Sequence, residues 1–175
     1  MKVEENSSHT LVPTAGVKFE DQMKVVRAYV VLENDEQRLV HYKDVMKITR
    51  LARTQISGLN SFLVMLGLLT HESRGNYSPT DAARILCAQV GEAAFLEIRT
   101  TIADSPLARR VRAYFLVHGS NSREELIEFL LDEANSKEPA RADTAVEWLV
   151  RSGFLAESDD GMLRLNQANR GKTKG

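Results

Sequence analysis

The sequence predicts a mostly α-helical chain with small β-hairpins, built as two tandem copies of one folding unit. Three observations lead there. VRAYVVL (Val26 to Leu32) returns as VRAYFLV (Val111 to Val117), an offset of 85 (111 − 26). FLVMLGLLTHESRGNY (Phe62 to Tyr77) lies over WLVRSGFLAESDDGML (Trp148 to Leu163) at an offset of 86 (148 − 62). That register aligns Leu63 with Leu149, Gly67 with Gly153, Leu69 with Leu155 and Gly75 with Gly161. One single-residue length change reconciles the two offsets, and the matched blocks mark a duplicated unit of about 60 residues. Finally, apolar residues recur at three- and four-residue steps between turn-rich breaks, which is the helical period.

The elements follow in order. Residues 1–18 lack periodicity and are expected to be a flexible segment. Phe19 to Leu32 carries a helical apolar stripe, ENDEQ reads as a turn, RLVHY as a short strand and KDVMKIT as a short helix. From Thr54 a third helix presents Ile56, Leu59, Phe62, Leu63 and Leu66 inward, and Gly67 ends it, since glycine tolerates the left-handed conformation there. LLTHESRGNYS then forms a strand, a polar turn at Glu72–Asn76 and a return strand at Tyr77. Ser78-Pro79-Thr80-Asp81 reads as a helix start, with serine as the cap and proline in the first turn. One connecting helix is expected from there through about Ile98, with Gly91 a weak point. Its apolar residues include Ala82, Ile85, Leu86, Ala93 and Leu96, and it should pack on the first unit and join it to the second.

The second copy repeats the order. A helix runs from Leu107 to Val117, and Ser122-x-x-Glu125 is a capping box opening a helix to about Ala134. Pro139 to Ser152 forms the third helix, ended by Gly153 with Trp148 and Leu149 inward, and FLAES-DDG-MLRLN reads as a hairpin. Residues 167–175 are expected to be a basic flexible tail.

Helix, helix, turn, helix and β-hairpin resembles the winged-helix (winged helix-turn-helix) superfamily. The residues carrying the likeness are the third-helix endings FLVMLGLL (62–69) and EWLVRSGFL (147–155). The resemblance implies one such domain over 19–78, a connecting segment over 79–104 and a second domain over 105–166. Such domains serve many unrelated functions, so it specifies architecture better than activity.

Reactive chemistry is sparse. The 175 residues contain four histidines, His9, His41, His71 and His118, none at a shared helix-face spacing, and one cysteine, so no zinc-type cluster is expected. Cys87, between Leu86 and Ala88, reads as a small core residue rather than a nucleophile. The closing GKTKG fails as a phosphate loop because the motif's first glycine would fall at Asn166 and no helix can follow. The runs Glu124-Glu125 and Asp132-Glu133 read as a solvated helix face. No metal, no cofactor and no catalytic group is therefore expected. The N-terminal stretch has no apolar core of signal-peptide length and no run is long enough to span a membrane, so a cytoplasmic setting without membrane contact is the expectation.

Net charge is −1 with a pI near 6.4, so any nucleic-acid surface must be local. Over 41–80 five cations, Lys43, Lys47, Arg50, Arg53 and Arg74, face two acids, Asp44 and Glu72. Over 120–165 five cations face eleven acids. Phosphate binding rewards the first balance and punishes the second. The candidate DNA-contacting set is those five cations with Thr54, Gln55, Ser57 and Ser61, which are outward on the third helix, and Asn76 on the hairpin; Gly58 and His71 share those surfaces. Helix 3 has no cation beyond Arg53, so bidentate guanine contacts from its interior are not expected. In the second copy the outward set Arg141, Thr144, Glu147 and Arg151 is mixed. Two functions compete. One is a DNA-binding regulator or DNA-associated factor that uses the first unit on DNA and residues 105–166 for self-association or a protein partner. The other is an adaptor subunit of a larger assembly, with no DNA contact.

Overall fold

The computed structural model describes residues 11–36 and 39–166. It is mostly helical, with two small antiparallel sheets of three strands each. The first half runs α1 (Phe19–Glu36), β1 (Val40–His41), α2 (Tyr42–Thr49), α3 (Arg53–Met65), β2 (Leu69–Ser73) and β3 (Asn76–Pro79). Then come α4 (Asp81–Ala88), α5 (Glu92–Glu97) and α6 (Arg99–Ala103). The second half runs α7 (Pro106–His118), β4 (Asn121–Ser122), α8 (Arg123–Ala134), α9 (Pro139–Arg151), β5 (Leu155–Glu157) and β6 (Met162–Leu165).

The halves repeat one another. The sheets have the orders β1-β3-β2 and β4-β6-β5, so in each the last strand lies in the middle. Helices α3 and α9 are both 13 residues long and start 86 residues apart (139 − 53). Each is followed by a glycine of positive φ, Gly67 at 82° and Gly153 at 76°. The capping box at Ser122 forms as the sequence predicts: Glu125 N–H donates to Ser122 Oγ at 3.2 Å and Ser122 N–H to Glu125 Oε2 at 3.0 Å. Strand β4 was not expected; two residues carry no period of their own.

Two expectations fail at the connection. Residues 79–104 form three short helices rather than one, because the chain breaks at Gln89–Gly91, where Gly91 takes φ 84°. Within α4, Ala82, Ala83 and Leu86 are buried and Ile85 faces out; the break then resets the helical phase, so Ala93 and Leu96 are exposed while Ala94, Phe95 and Ile98 are buried. The cap of α4 is Thr80, not Ser78: Thr80 Oγ1 accepts from Ala83 N–H at 3.4 Å and donates to the Gly67 carbonyl at 2.6 Å. Ser78 and Pro79 belong instead to β3, where Pro79 pairs with Leu69.

The N-terminal expectation is also corrected in part. Residues 11–17 are a packed strap: Leu11, Val12, Pro13 and Val17 are buried, and Thr14 N–H donates to the Gly58 carbonyl at 3.2 Å. An irregular segment can be ordered by packing, and no period announces that. Residues 1–10, Gln37, Arg38 and the tail 167–175, with His9, Arg170, Lys172 and Lys174, lie outside the described residues.

One buried cluster runs through both halves. Its centre is Trp148 of α9, fully buried, whose ring lies 4.9 Å from Phe19 of α1 and 5.9 Å from Phe95 of α5. The indole N–H donates to Gln22 Oε1 at 2.8 Å, and Gln22 Nε2 donates to the Val17 carbonyl at 3.0 Å. A buried indole needs an acceptor, and this one finds it 126 residues away in sequence. The connector closes the joint. A Cβ on Gly67 would sit 2.8 Å from Thr101 Cγ2, and one on Gly153 would sit 3.0 Å from Leu96 Cδ2, so both helix-ending glycines admit it at close range.

Candidate nucleic-acid interface

The fold brings three elements of the first half to one point. Strand β1 leads directly into α2, so His41 and Tyr42 stand at that helix start, their rings 4.6 Å apart. Lys43 N–H donates to His41 Nδ1 at 3.2 Å, capping α2. The β2–β3 turn packs onto the same spot: Tyr42 N–H donates to the Gly75 carbonyl at 3.0 Å. Gly75 has φ 78°, and a Cβ there would lie 2.5 Å from His41 Nε2. From the start of α3, the Arg53 guanidinium lies over the Tyr42 ring at 5.8 Å. Arg53 thus stands over Tyr42, Lys43 follows Tyr42 and Arg74 precedes Gly75 in the chain, and all three cations are exposed.

The remaining expected residues divide. Lys47 is exposed on the far turn of α2, with its ammonium 3.8 Å from Asp44. Arg50 closes α2 in the left-handed region at φ 60°, its N–H donating to the Met46 carbonyl at 2.8 Å. Thr54, Ser57 and Ser61 share an exposed face of α3 that bears no acid. Asn76 is half-buried and donates to Ser73 Oγ at 2.9 Å. His71 is exposed with its ring 5.0 Å from Tyr77.

Two positions behave otherwise than the sequence predicts. Gln55 is engaged in its own helix, since Ala52 N–H donates to Gln55 Oε1 at 2.9 Å and so caps α3. Gly58 is buried, because the strap lies against it: a Cβ there would sit 2.7 Å from Ala15 Cβ and 2.9 Å from Ala15 N. The strap thus borders one flank of the exposed face. His41 and Tyr42 were missed as parts of the surface; the aromatic pair at the strand–helix junction was the available signal.

The second half has a different character. Arg123 reaches Asp143 at 2.7 Å and Glu147 at 3.0 Å, and Arg151 reaches Glu147 at 2.6 Å. Burial alone would raise the Glu147 carboxyl, but the hydrogen bonds from Arg151 and Arg123 prevail and hold it below its ordinary range. Two of this half's cations are thus neutralised internally. Arg151 also lies 4.5 Å above the Phe19 ring, at the joint.

Cys87 lines a cavity of about 460 Å³ between α1 and the α4–α5 break, and burial pushes its thiol up against the opposing pull of Arg27. Among the described residues no group of three or more His, Cys, Asp or Glu side chains could hold a metal ion, and no helix is long and apolar enough to cross a membrane. Comparison with protein-family models, with curated proteins and with solved structures returns no match to this chain.

Proposed function

We propose that the chain is a non-catalytic DNA-binding protein made of two tandem winged-helix units, the first contacting DNA and the second mediating self-association or protein docking. Support for the architecture is the repeated order helix, strand, helix, helix, strand, strand with the last strand central in each sheet. The observation that carries the DNA reading is the meeting of the α2 start, the α3 start and the β2–β3 turn at Tyr42, each bringing an exposed cation (Lys43, Arg53 and Arg74), beside an α3 face of Thr54, Ser57 and Ser61 with no acid on it. In this reading α3 enters the major groove with short side chains against base edges, and the β2–β3 turn holds the backbone. Sequence preference would be modest, since the cations sit around the helix start and on the hairpin rather than within α3. In this reading the protein is a regulator or DNA-associated factor.

The test is an electrophoretic shift series with the full chain on mixed-sequence duplex across salt concentrations. Binding is expected to fall steeply with salt, and Arg50→Glu, Arg53→Glu and Arg74→Glu together should abolish it or flatten the slope by about 3, near 0.9 for each phosphate no longer neutralised. Absent or salt-insensitive binding by the intact chain overturns the reading. One observation favours the alternative, an adaptor subunit without DNA contact: the strap occupies a flank of α3 at Gly58. Stable co-purification with a protein partner and no shift at low salt would select it.

A further inference from the structure

The repeat makes a comparison possible inside one molecule. At the offset of 85, Val25, Ala28, Tyr29 and Leu32 of α1 correspond to Arg110, Ala113, Tyr114 and Val117 of α7. In α1 three of these positions are sunk, with Val25 and Tyr29 at 0% exposure and Ala28 at 4%, and Leu32 is half-buried, since α2 and α4 both pack along that helix. In α7 the part of this face turned towards α8 is occupied, by Arg110 on Glu133 and Tyr114 on Phe129, and the part away from it is open. Ala113 is exposed, Val117 is 79% exposed and its neighbour Leu116 is 74% exposed. Two adjacent large aliphatic side chains standing free in water, beside exposed Ala113, mark an interaction surface. Residues 167–175, QANRGKTKG, contain no large apolar side chain.

The charges around the face say what fits it. Helices α7 and α8 run antiparallel, for Arg110 reaches Glu133 at 3.3 Å and Tyr114 stacks on Phe129 at 4.4 Å. The start of α7 thus carries exposed Arg109, while its end lies beside the acidic start of α8, where Glu125 and Glu128 are exposed. Burial first, and then the charges of Glu125 and Glu128, push the Tyr114 hydroxyl up, in keeping with the antiparallel register that sets the start of α8 beside the end of α7. A positive end and a negative end on one apolar stripe, with a small residue between them, is a self-complementary surface under a two-fold axis.

We propose that the open face of α7 is the interface of a homodimer in which two α7 helices pack antiparallel, crossing at Ala113. Val117 and Leu116 of each copy cover the start of the other copy's α7, and Arg109 of each lies against Glu128 of the other. This deepens the role given above to the second unit, and it rests on that reading only for its biological purpose, since DNA binding and dimerisation are read separately.

The experiment is sedimentation equilibrium of the full chain. Wild type should show twice the 19.6 kDa monomer mass. Val117→Asp, a change at a solvated position that leaves the far-ultraviolet circular dichroism unchanged, should weaken the dimer about a hundredfold by placing a charge within an apolar contact. Arg109→Glu should weaken it about tenfold, and Arg109→Glu with Glu128→Arg should restore it. A wild-type chain monomeric at about 100 µM, a V117D dimer of unchanged strength, or no rescue by the charge swap each overturns the proposal. A monomer that still shifts DNA refutes the dimer alone; a dimer that shifts none refutes the DNA reading alone.

Discussion

Gln22→Leu tests whether the two halves stand as one body. The substitution keeps the side chain's size and removes both hydrogen bonds of the Gln22 side chain, to the Trp148 indole N–H and to the Val17 carbonyl. All three groups are buried, so two polar atoms lose their partners with no water to replace them. Each orphaned group costs about 1–3 kcal/mol, set against a small gain from the added methyls, which leaves about 3 kcal/mol. For a chain of this length 1 kcal/mol moves Tm by about 2–4 °C, so a fall of about 6–12 °C is expected. The assay is unusually direct because Trp148 is the single tryptophan, so its fluorescence reports on the joint while circular dichroism reports on helices of both halves. In wild type the two melting curves should coincide, and in the variant both should move together. A variant whose fluorescence midpoint falls while its dichroism midpoint stays, or one that melts within about 2 °C of wild type, would refute the shared core.

Gly58→Ala offers a test by sign. In an uncovered helix it should stabilise by about 0.5–1 kcal/mol, but beneath the strap the new Cβ meets the Ala15 backbone at 2.9 Å, and a loss of about 1–3 kcal/mol is expected by thermal melting. Hydrogen exchange at the Thr14 amide should speed up in the same variant; unchanged exchange would refute the contact. Glu147→Gln should destabilise the chain at neutral pH, and the deficit should shrink as pH falls below the group's ordinary value of 4.5. The sign follows because a carboxyl held low in the folded state contributes stability that is present above its unfolded value and lost as it is protonated. Denaturant titrations of both proteins at several pH values check it, and a deficit independent of pH would be the contrary result.

How much of this was legible beforehand depended on whether a residue answers to its sequence neighbours. The third helices were, because Ile56, Leu59, Phe62 and Leu63 bury by period alone and Gly67 marks the end. The Ser122–Glu125 cap was, because both partners lie within one turn. The connector was not: Thr80 rather than Ser78 caps α4 because the sheet keeps Ser78 and Pro79, a decision made by pairing with Leu69 and Thr70. The strap was not, because its burial comes from α3 and the joint, and irregular backbone carries no signature. Trp148 is legible as buried, yet its acceptor lies in the other copy, beyond any local pattern. On the candidate surface, Thr54, Ser57 and Ser61 face outward as their period requires, whereas Gly58 shares that period and is covered by chain from elsewhere.

The aromatic knot at the joint bears on how such a molecule can be dissected. Bisecting the chain near residue 104, where the duplication invites a cut, would strip the indole from Phe19 and Phe95 in one fragment and leave Trp148 bare in the other. Each piece would carry a freshly uncovered greasy scar, and pull-downs made with either would report the scar's appetite rather than the native protein's partners. Point substitutions in the intact chain are the sounder instrument for assigning what each half does.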